Sequence, residues 1–191
     1  FYEPLLNLAL RQAARIVVAS PPMLDAPSLA PFRHKCAVVP FGIDPAPYAA
    51  AAMPGPPPES AEPTVLFVGR LVAYKGVDVL LKAYGQAFTA DDAVVLIIKT
   101  FPNPHHNIEQ DLANWRIEFP NAPAVELISQ DLPDSALRAL YNMADALVAP
   151  SRGEGFGLPL AEAMLHRLPV IVTGQGGQTD FCFIYVIHCA P

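Results

Sequence analysis

The chain has 191 residues, 52% of them hydrophobic, and a formal net charge of −6. That length suits one domain of ordinary size with a fragment of another, and the apolar content supports a sizeable core. The acidic balance argues against a general binder of nucleic acid or of anionic membrane, so an anionic ligand needs a local basic pocket.

Leu5–Ala14 has helical spacing, Arg15–Ala19 reads as a short strand, and Ser20-Pro21 reads as an N-cap with proline at the first helical position. Cys36–Val39 reads as another short strand. Residues 45–63 hold seven of the 22 prolines and a run of alanine, which predicts an extended, semi-rigid linker. A domain boundary is placed there. Residues 1–40 are too few to close a good core, and residues 1–44 are expected to be the remnant of a preceding domain. Residues 64–191 are expected to form a second domain, incomplete at its C-terminus.

From Val65 onward short apolar runs alternate with helical periodicity. Strands are predicted at Val65–Gly69, Ala93–Lys99, Ala124–Ile128, Ala144–Ala149 and Pro169–Thr173. Helices are predicted over Val77–Phe88, through Ile108, Leu112, Trp115 and Phe119, after Pro133-Asp134, and over Leu158–His166. The alternation predicts an α/β fold, a Rossmann-like parallel sheet flanked by helices. Fully apolar strands such as Val94–Ile98 fit burial on both faces.

Two loops carry the chemistry. The first runs from Gly69 and Arg70 to Lys75 and Gly76, between a strand and a helix. Ligands of parallel sheets bind at the carboxyl ends of strands, where Arg70 and Lys75 suit a diphosphate. The second, residues 150–164, reads Pro-Ser-Arg-Gly-Glu-Gly-Phe-Gly-Leu-Pro-Leu-Ala-Glu-Ala-Met. Gly153, Gly155 and Gly157 allow positive φ and close approach to a ligand. Pro159 opens a helix whose N-terminus suits phosphate, and Glu154 and Glu162 can accept hydrogen bonds from sugar hydroxyls. Taken singly, each loop also reads as solvated surface; together they point to a ligand that is part phosphate and part sugar.

Other motifs are absent or plain. The segment 174–179 lacks the third glycine of a dinucleotide fingerprint, no Walker-type loop occurs, and Ser151 lacks a nucleophile-elbow context. His105-His106 reads as a surface loop, since a metal site needs three or four spaced ligands. The cysteines Cys36, Cys182 and Cys189 form no Cys-x-x-Cys pair, so a reduced cytoplasmic setting is expected. No apolar run reaches the roughly 18–20 residues of a membrane span, although peripheral membrane association stays open. The start, without initiator Met or basic region, reads as the interior of a longer chain.

In combination these pieces resemble the C-terminal half of retaining glycosyltransferases of the GT-B fold, the group 1 or family four type. Val39-Pro40-Phe41-Gly42-Ile43-Asp44 is similar to that family's interdomain segment. Val68-Gly69-Arg70-Leu71 to Lys75-Gly76 is similar to its phosphate loop. Leu140-Tyr141, Ala144-Asp145-Ala146 and Pro150-Ser151 resemble the approach to its active site, and Glu154 to Glu162 resembles its Glu-x7-Glu motif. Pro169–Thr173 and Gly176-Gly177 follow in order.

The resemblance implies transfer of a sugar from a UDP-, GDP- or ADP-sugar donor to an unidentified acceptor, with retention, this chain being mainly the donor-binding half. It implies catalytic roles for Arg70, Lys75 and Glu154. Arg70 and Lys75, beside Gly69, hold the diphosphate, and Glu154 holds the transferred sugar. Phe156, Gly157 and Leu158 offer backbone N–H groups to sugar and phosphate, Gly155 belongs to the same donor-binding stretch, and Glu162 binds the ribose. The base is expected near Ile128–Leu132 and Lys99. Neither metal nor cofactor is expected. The alternative is a non-catalytic nucleotide-sugar-binding module or inactive truncated paralogue. An epimerase of the same fold fits the Glu-x7-Glu spacing poorly. The chain departs from the family at His166-Arg167, where a small residue and a glycine are usual, and in Phe181–Ala190, an apolar ending rich in β-formers.

Overall fold

The structure, a computed structural model, describes residues 2–49, 62–103, 107–182 and 186–187. The first part holds helix α1 (Tyr2–Gln12) and strands β1 (Ile16–Val18) and β2 (Cys36–Val38), which pair in parallel as a two-stranded sheet of their own. Two 3₁₀ helices, Pro21–Asp25 and Ala30–Lys35, lie between the strands. The second carries Phe32, with Leu29 just before it, into a small core with Leu10 and Val18. Ser20 is extended and precedes two prolines, as expected, but its hydroxyl makes no cap bond. The predicted linker does not begin extended: Ala46–Ala49 forms one helical turn, α2. Asp44 accepts a hydrogen bond from the Ala46 N–H at 2.9 Å, a local turn that starts the helix despite its prolines.

The second part is the expected α/β domain. Six parallel strands lie in the order β5-β4-β3-β6-β7-β8, with β3 at Thr64–Val68, β4 at Val95–Lys99, β5 at Val125–Ile128, β6 at Ala146–Ala149, β7 at Val170–Thr173 and β8 at Val186–Ile187. Between them run α3 (Val77–Ala87), α4 (Ile108–Glu118), α5 (Asp134–Met143) and α6 (Leu158–Leu165). The apolar strands are covered on both faces. Phe67, Leu96 and Ile98 pack with Leu80, Leu81 and Trp115 of α3 and α4. Leu66, Ile97 and Leu147 pack with Tyr141, Leu160 and Ala163 of α5 and α6.

Strand order places the site. The chain builds outward from β3 through β4 to β5, then returns by α5 to lay β6 on the other side of β3. The order therefore reverses between β3 and β6. In open parallel sheets the crevice at the carboxyl ends of such a strand pair is where ligands bind. The loops that leave β3 and β6 are Gly69–Gly76 and Pro150–Gly157, the two stretches that the residues singled out.

Candidate functional site

The two loops touch through glycine. Gly76 has φ +73°, and a Cβ there would stand 2.1 Å from the Pro150 carbonyl oxygen. Only glycine combines that left-handed backbone with that approach. Arg152 fastens the same junction. Its N–H donates to the Tyr74 carbonyl at 2.7 Å, its guanidinium donates to the Ala73 carbonyl at 2.7 Å, and it grips Asp78 at 2.8 and 2.6 Å. The hydrogen bond from Arg152 is the leading cause that holds the Asp78 carboxyl below its ordinary range. Both side chains are half exposed or more, so the pair adds little to global stability; its effect is geometric.

That junction brings two expected site residues together. The Lys75 ammonium contacts the Glu154 carboxylate in an ion pair whose side chains are 18% and 14% exposed. Arg70, on the same loop, is exposed and has no ion-pair partner among the described residues. Gly69 closes the strand end, its N–H donating to the Lys99 carbonyl at 3.1 Å.

The second loop is held from behind. The Gly177 N–H donates to the Glu154 carbonyl at 2.8 Å, and the Ser20 hydroxyl donates to the Gly155 carbonyl at 2.8 Å. Of the three loop glycines, only Gly157 adopts positive φ, +98°, as the residue preceding α6. Gly153 and Gly155 do not use the positive φ that glycine allows. Gly153 has open space around it, and Gly155 lies against the Met23 sulfur. The Phe156 and Gly157 N–H groups have no acceptor among the described residues. The Phe156 ring meets Phe41 edge-on at 5.6 Å and the tilted ring of Phe181 at 4.9 Å. It lines an apolar groove of about 480 Å³ with Ile43, Met164 and Leu165. Leu158, the first residue of α6, is exposed.

Glu162 sits just past the first turn of α6 and does not join the Lys75–Glu154 pair. It accepts a hydrogen bond from the Tyr141 hydroxyl at 2.8 Å. Burial, then the Glu162 charge, push the Tyr141 hydroxyl far above its ordinary pKa, which keeps it a donor. The two line a cavity of about 220 Å³ with Asp44, Tyr48, Asp134 and Arg138. Lys99 is 1% exposed at the end of β4. It is paired in register with Ile128, so it lies beside the expected base-binding turn. Its ammonium donates to the Thr100 carbonyl at 2.5 Å and stands 4.0 Å over the Phe101 ring. Burial lowers its pKa.

The end of α6 explains the departure at His166-Arg167. Leu168 N–H bonds to the Ala163 carbonyl and Arg167 N–H to the Met164 carbonyl, a Schellman closure. Arg167 occupies its left-handed position, φ +59°, where glycine is usual. His166 is buried between Tyr48 and Tyr141, with Nδ1 2.7 Å from Asn142.

Ser20, Asp78 and Arg152 were not singled out as functional from the residues, and Tyr141 was placed in the approach to the site without its link to Glu162. Ser20 and Gly155 are 135 positions apart, and no local pattern announces a contact of that range. Arg152 stands beside the acidic loop, but its partner is 74 residues away. The His105-His106 and Cys189 readings lie outside the described residues. Among the described residues no group of three or more His, Cys, Asp or Glu could hold a metal ion. Among them, too, no helix is long and apolar enough to cross a membrane.

Known proteins bear on this arrangement. The D-inositol 3-phosphate glycosyltransferase of Corynebacterium aurimucosum is 32% identical over 122 residues, covering 59% of this chain and 27% of that protein. The glycogen synthase of Lacticaseibacillus casei is 28% identical over 128 residues, covering 67% of this chain and 25% of that protein. The chain thus spans about a quarter of the length of these curated relatives. Among solved structures, Anabaena Alr3699/HepE in complex with UDP-glucose superposes with a TM-score of 0.76 at 18% identity, over 98% of this chain and 54% of that one. The catalytic domain of Starch Synthase IV from Arabidopsis thaliana, bound to ADP and acarbose, gives 0.72 at 19% identity, over 97% and 44%. At such identities these likenesses establish the fold, the C-terminal half of a GT-B architecture. The model of the family described as Glycosyl transferases group 1 matches residues 62–182. With that match over more than half its length, this chain belongs to the group 1 glycosyltransferase family.

Proposed function

We propose that this chain supplies the donor-binding half of a glycosyltransferase that moves a sugar from a nucleotide sugar to an acceptor with retention. The observation that carries the reading is the junction at the sheet's reversal point. There the Lys75 ammonium and Glu154 carboxylate meet beside the Phe156 and Gly157 N–H groups, which have no acceptor among the described residues, and the same loop carries the exposed Arg70, which has no ion-pair partner among them. Ammonium, guanidinium and backbone N–H groups suit a diphosphate. The carboxylates of Glu154 and Glu162 suit hydroxyls of sugar and ribose. Relatives named as glycosyltransferases and glycogen synthases support a sugar-transfer role. Neighbours titled with UDP-glucose and with ADP support a nucleotide-sugar donor.

In this reading, departure of the diphosphate builds negative charge that Arg70, Lys75 and the α6 N-terminus stabilise without reorganisation. Residues 1–44 belong to the acceptor-side domain, 45–63 link it, and 64–191 hold the donor. The separate small sheet of β1 and β2 supports that division. In this reading the protein is cytoplasmic.

Calorimetric titration with UDP-, GDP- and ADP-sugars tests the reading, with Arg70→Ala and Glu162→Ala as controls. At least one donor binds the parent, and each variant binds it roughly tenfold or more weakly, as expected for loss of a hydrogen bond to a charged group. No binding by any donor, or parent-like binding by both variants, refutes the assignment.

A further inference from the structure

We propose that Ser20 is a positioning residue for the donor site, its hydroxyl setting the direction of the Phe156 backbone N–H. The inference rests on the donor-site reading above and deepens it by assigning a role to the small N-terminal sheet's own chain. Ser20 follows β1, is 0% exposed, and has extended backbone at φ −153° and ψ 153°. Its side chain does not cap the 3₁₀ helix that it precedes; the hydroxyl crosses to the Gly155 carbonyl at 2.8 Å.

The peptide plane carries the argument further. In a trans peptide the C=O and N–H point in opposite directions. The Gly155 carbonyl and the Phe156 N–H share one peptide. A hydroxyl that holds the carbonyl on one side therefore presents the N–H on the other. The preceding peptide is treated alike, because the Gly177 N–H holds the Glu154 carbonyl at 2.8 Å. Two successive carbonyls are thus tied back by two different segments, and their N–H groups are directed away from both. A donor on the carbonyl also polarises the peptide and strengthens its N–H as a donor.

The fit leaves little slack. A Cβ at Gly177 would lie 1.9 Å from the Gly155 oxygen and 2.7 Å from Ser20 Oγ, while the Met23 sulfur lies at ordinary contact distance from Gly155. Three segments interlock around one peptide, which explains a fully buried serine at the end of a strand whose own sheet has only two members.

The test is a ¹⁵N NMR titration of the full chain with inorganic pyrophosphate, for the parent, Ser20→Ala and Ser20→Cys. In the parent, the Phe156 and Gly76 amides shift saturably. In Ser20→Ala, the apparent dissociation constant rises about tenfold for loss of one oriented donor. The Phe156 shift shrinks most, while Gly76 still responds. A Phe156 amide that titrates in Ser20→Ala with the parent's amplitude and affinity overturns the inference, whatever happens to the melting temperature. If Ser20→Ala does not fold, the comparison moves to Ser20→Cys, which keeps a similar size and donates weakly. There a reduced Phe156 response supports the role and an unchanged one overturns it. A parent in which neither amide responds removes the donor-site reading and this role with it.

Discussion

Glu154→Gln tests the centre of the site. In the structure the Glu154 carboxylate occupies the Lys75 ammonium, both side chains being more than four-fifths buried. At about 4 Å and an effective dielectric near 20, such charges attract by about 4 kcal/mol, and desolvation takes back much of that. A net coupling of about 1–2 kcal/mol is expected for a partly solvated pair. Glutamine keeps the shape and removes the charge, so Lys75 is left without its counter-ion. Two consequences of opposite sign follow. The folded protein loses about 1–2 kcal/mol, because a mostly buried ammonium is uncompensated. A nucleoside diphosphate no longer competes with the carboxylate for Lys75, so UDP, GDP or ADP binds up to about tenfold more tightly, equivalent to 1.4 kcal/mol. The assay combines urea denaturation with calorimetry on the parent, Glu154→Gln, Lys75→Met and the double variant. If the cycle yields a coupling within about 0.5 kcal/mol of zero, the pair is not an energetic unit. If Glu154→Gln also binds diphosphate no better than the parent, the reasoning fails.

Three further outcomes are expected. Arg167→Gly relieves a left-handed arginine in the α6 closure, raising stability by about 1 kcal/mol and the melting temperature by roughly 2–4 °C; a lower melting temperature contradicts it. Gly76→Ala places a Cβ 2.1 Å from the Pro150 oxygen, so the two loops separate and nucleotide binding falls at least about tenfold; parent-like affinity by calorimetry counts against the junction. Burial, then the Arg138 charge, lower the His166 pKa below its ordinary 6.5. The unfolded chain therefore binds more protons between the folded value and 6.5, and stability falls as pH drops through that window. Urea midpoints from pH 7.5 to 5.5 should show that slope flattened in His166→Gln, and an unchanged slope assigns it elsewhere.

The two loops act together because of where the strand order reverses. Gly69–Gly76 leaves β3 and Pro150–Gly157 leaves β6, which are hydrogen-bonded neighbours although about eighty residues apart. The Arg152–Asp78 fork and the Gly76–Pro150 contact then keep the cation of one loop beside the carboxylate of the other. These contacts hold the two loops of the candidate site together within the fold itself.

The alternating apolar runs from Val65 to Thr173 were enough to read a parallel α/β sheet, since burial on both faces demands near-continuous apolar strands and short-range periodicity records it. Glycine and charge spacing likewise nominate Arg70, Lys75, Glu154 and Glu162 as candidates, because a strand-to-helix loop and a helix N-terminus are local features. What they touch is not local. That Lys75 pairs with Glu154 while Glu162 turns to Tyr141 depends on strand order and on the crossing of α5 and α6. Ser20 shows the limit most plainly. Its neighbours announce a helix cap, yet with Gly155 packed against it the hydroxyl finds a carbonyl 135 residues away. Residue type and spacing determine which groups can do chemistry; the packing of distant segments decides which of them meet, because a buried donor takes whatever acceptor the fold brings within reach.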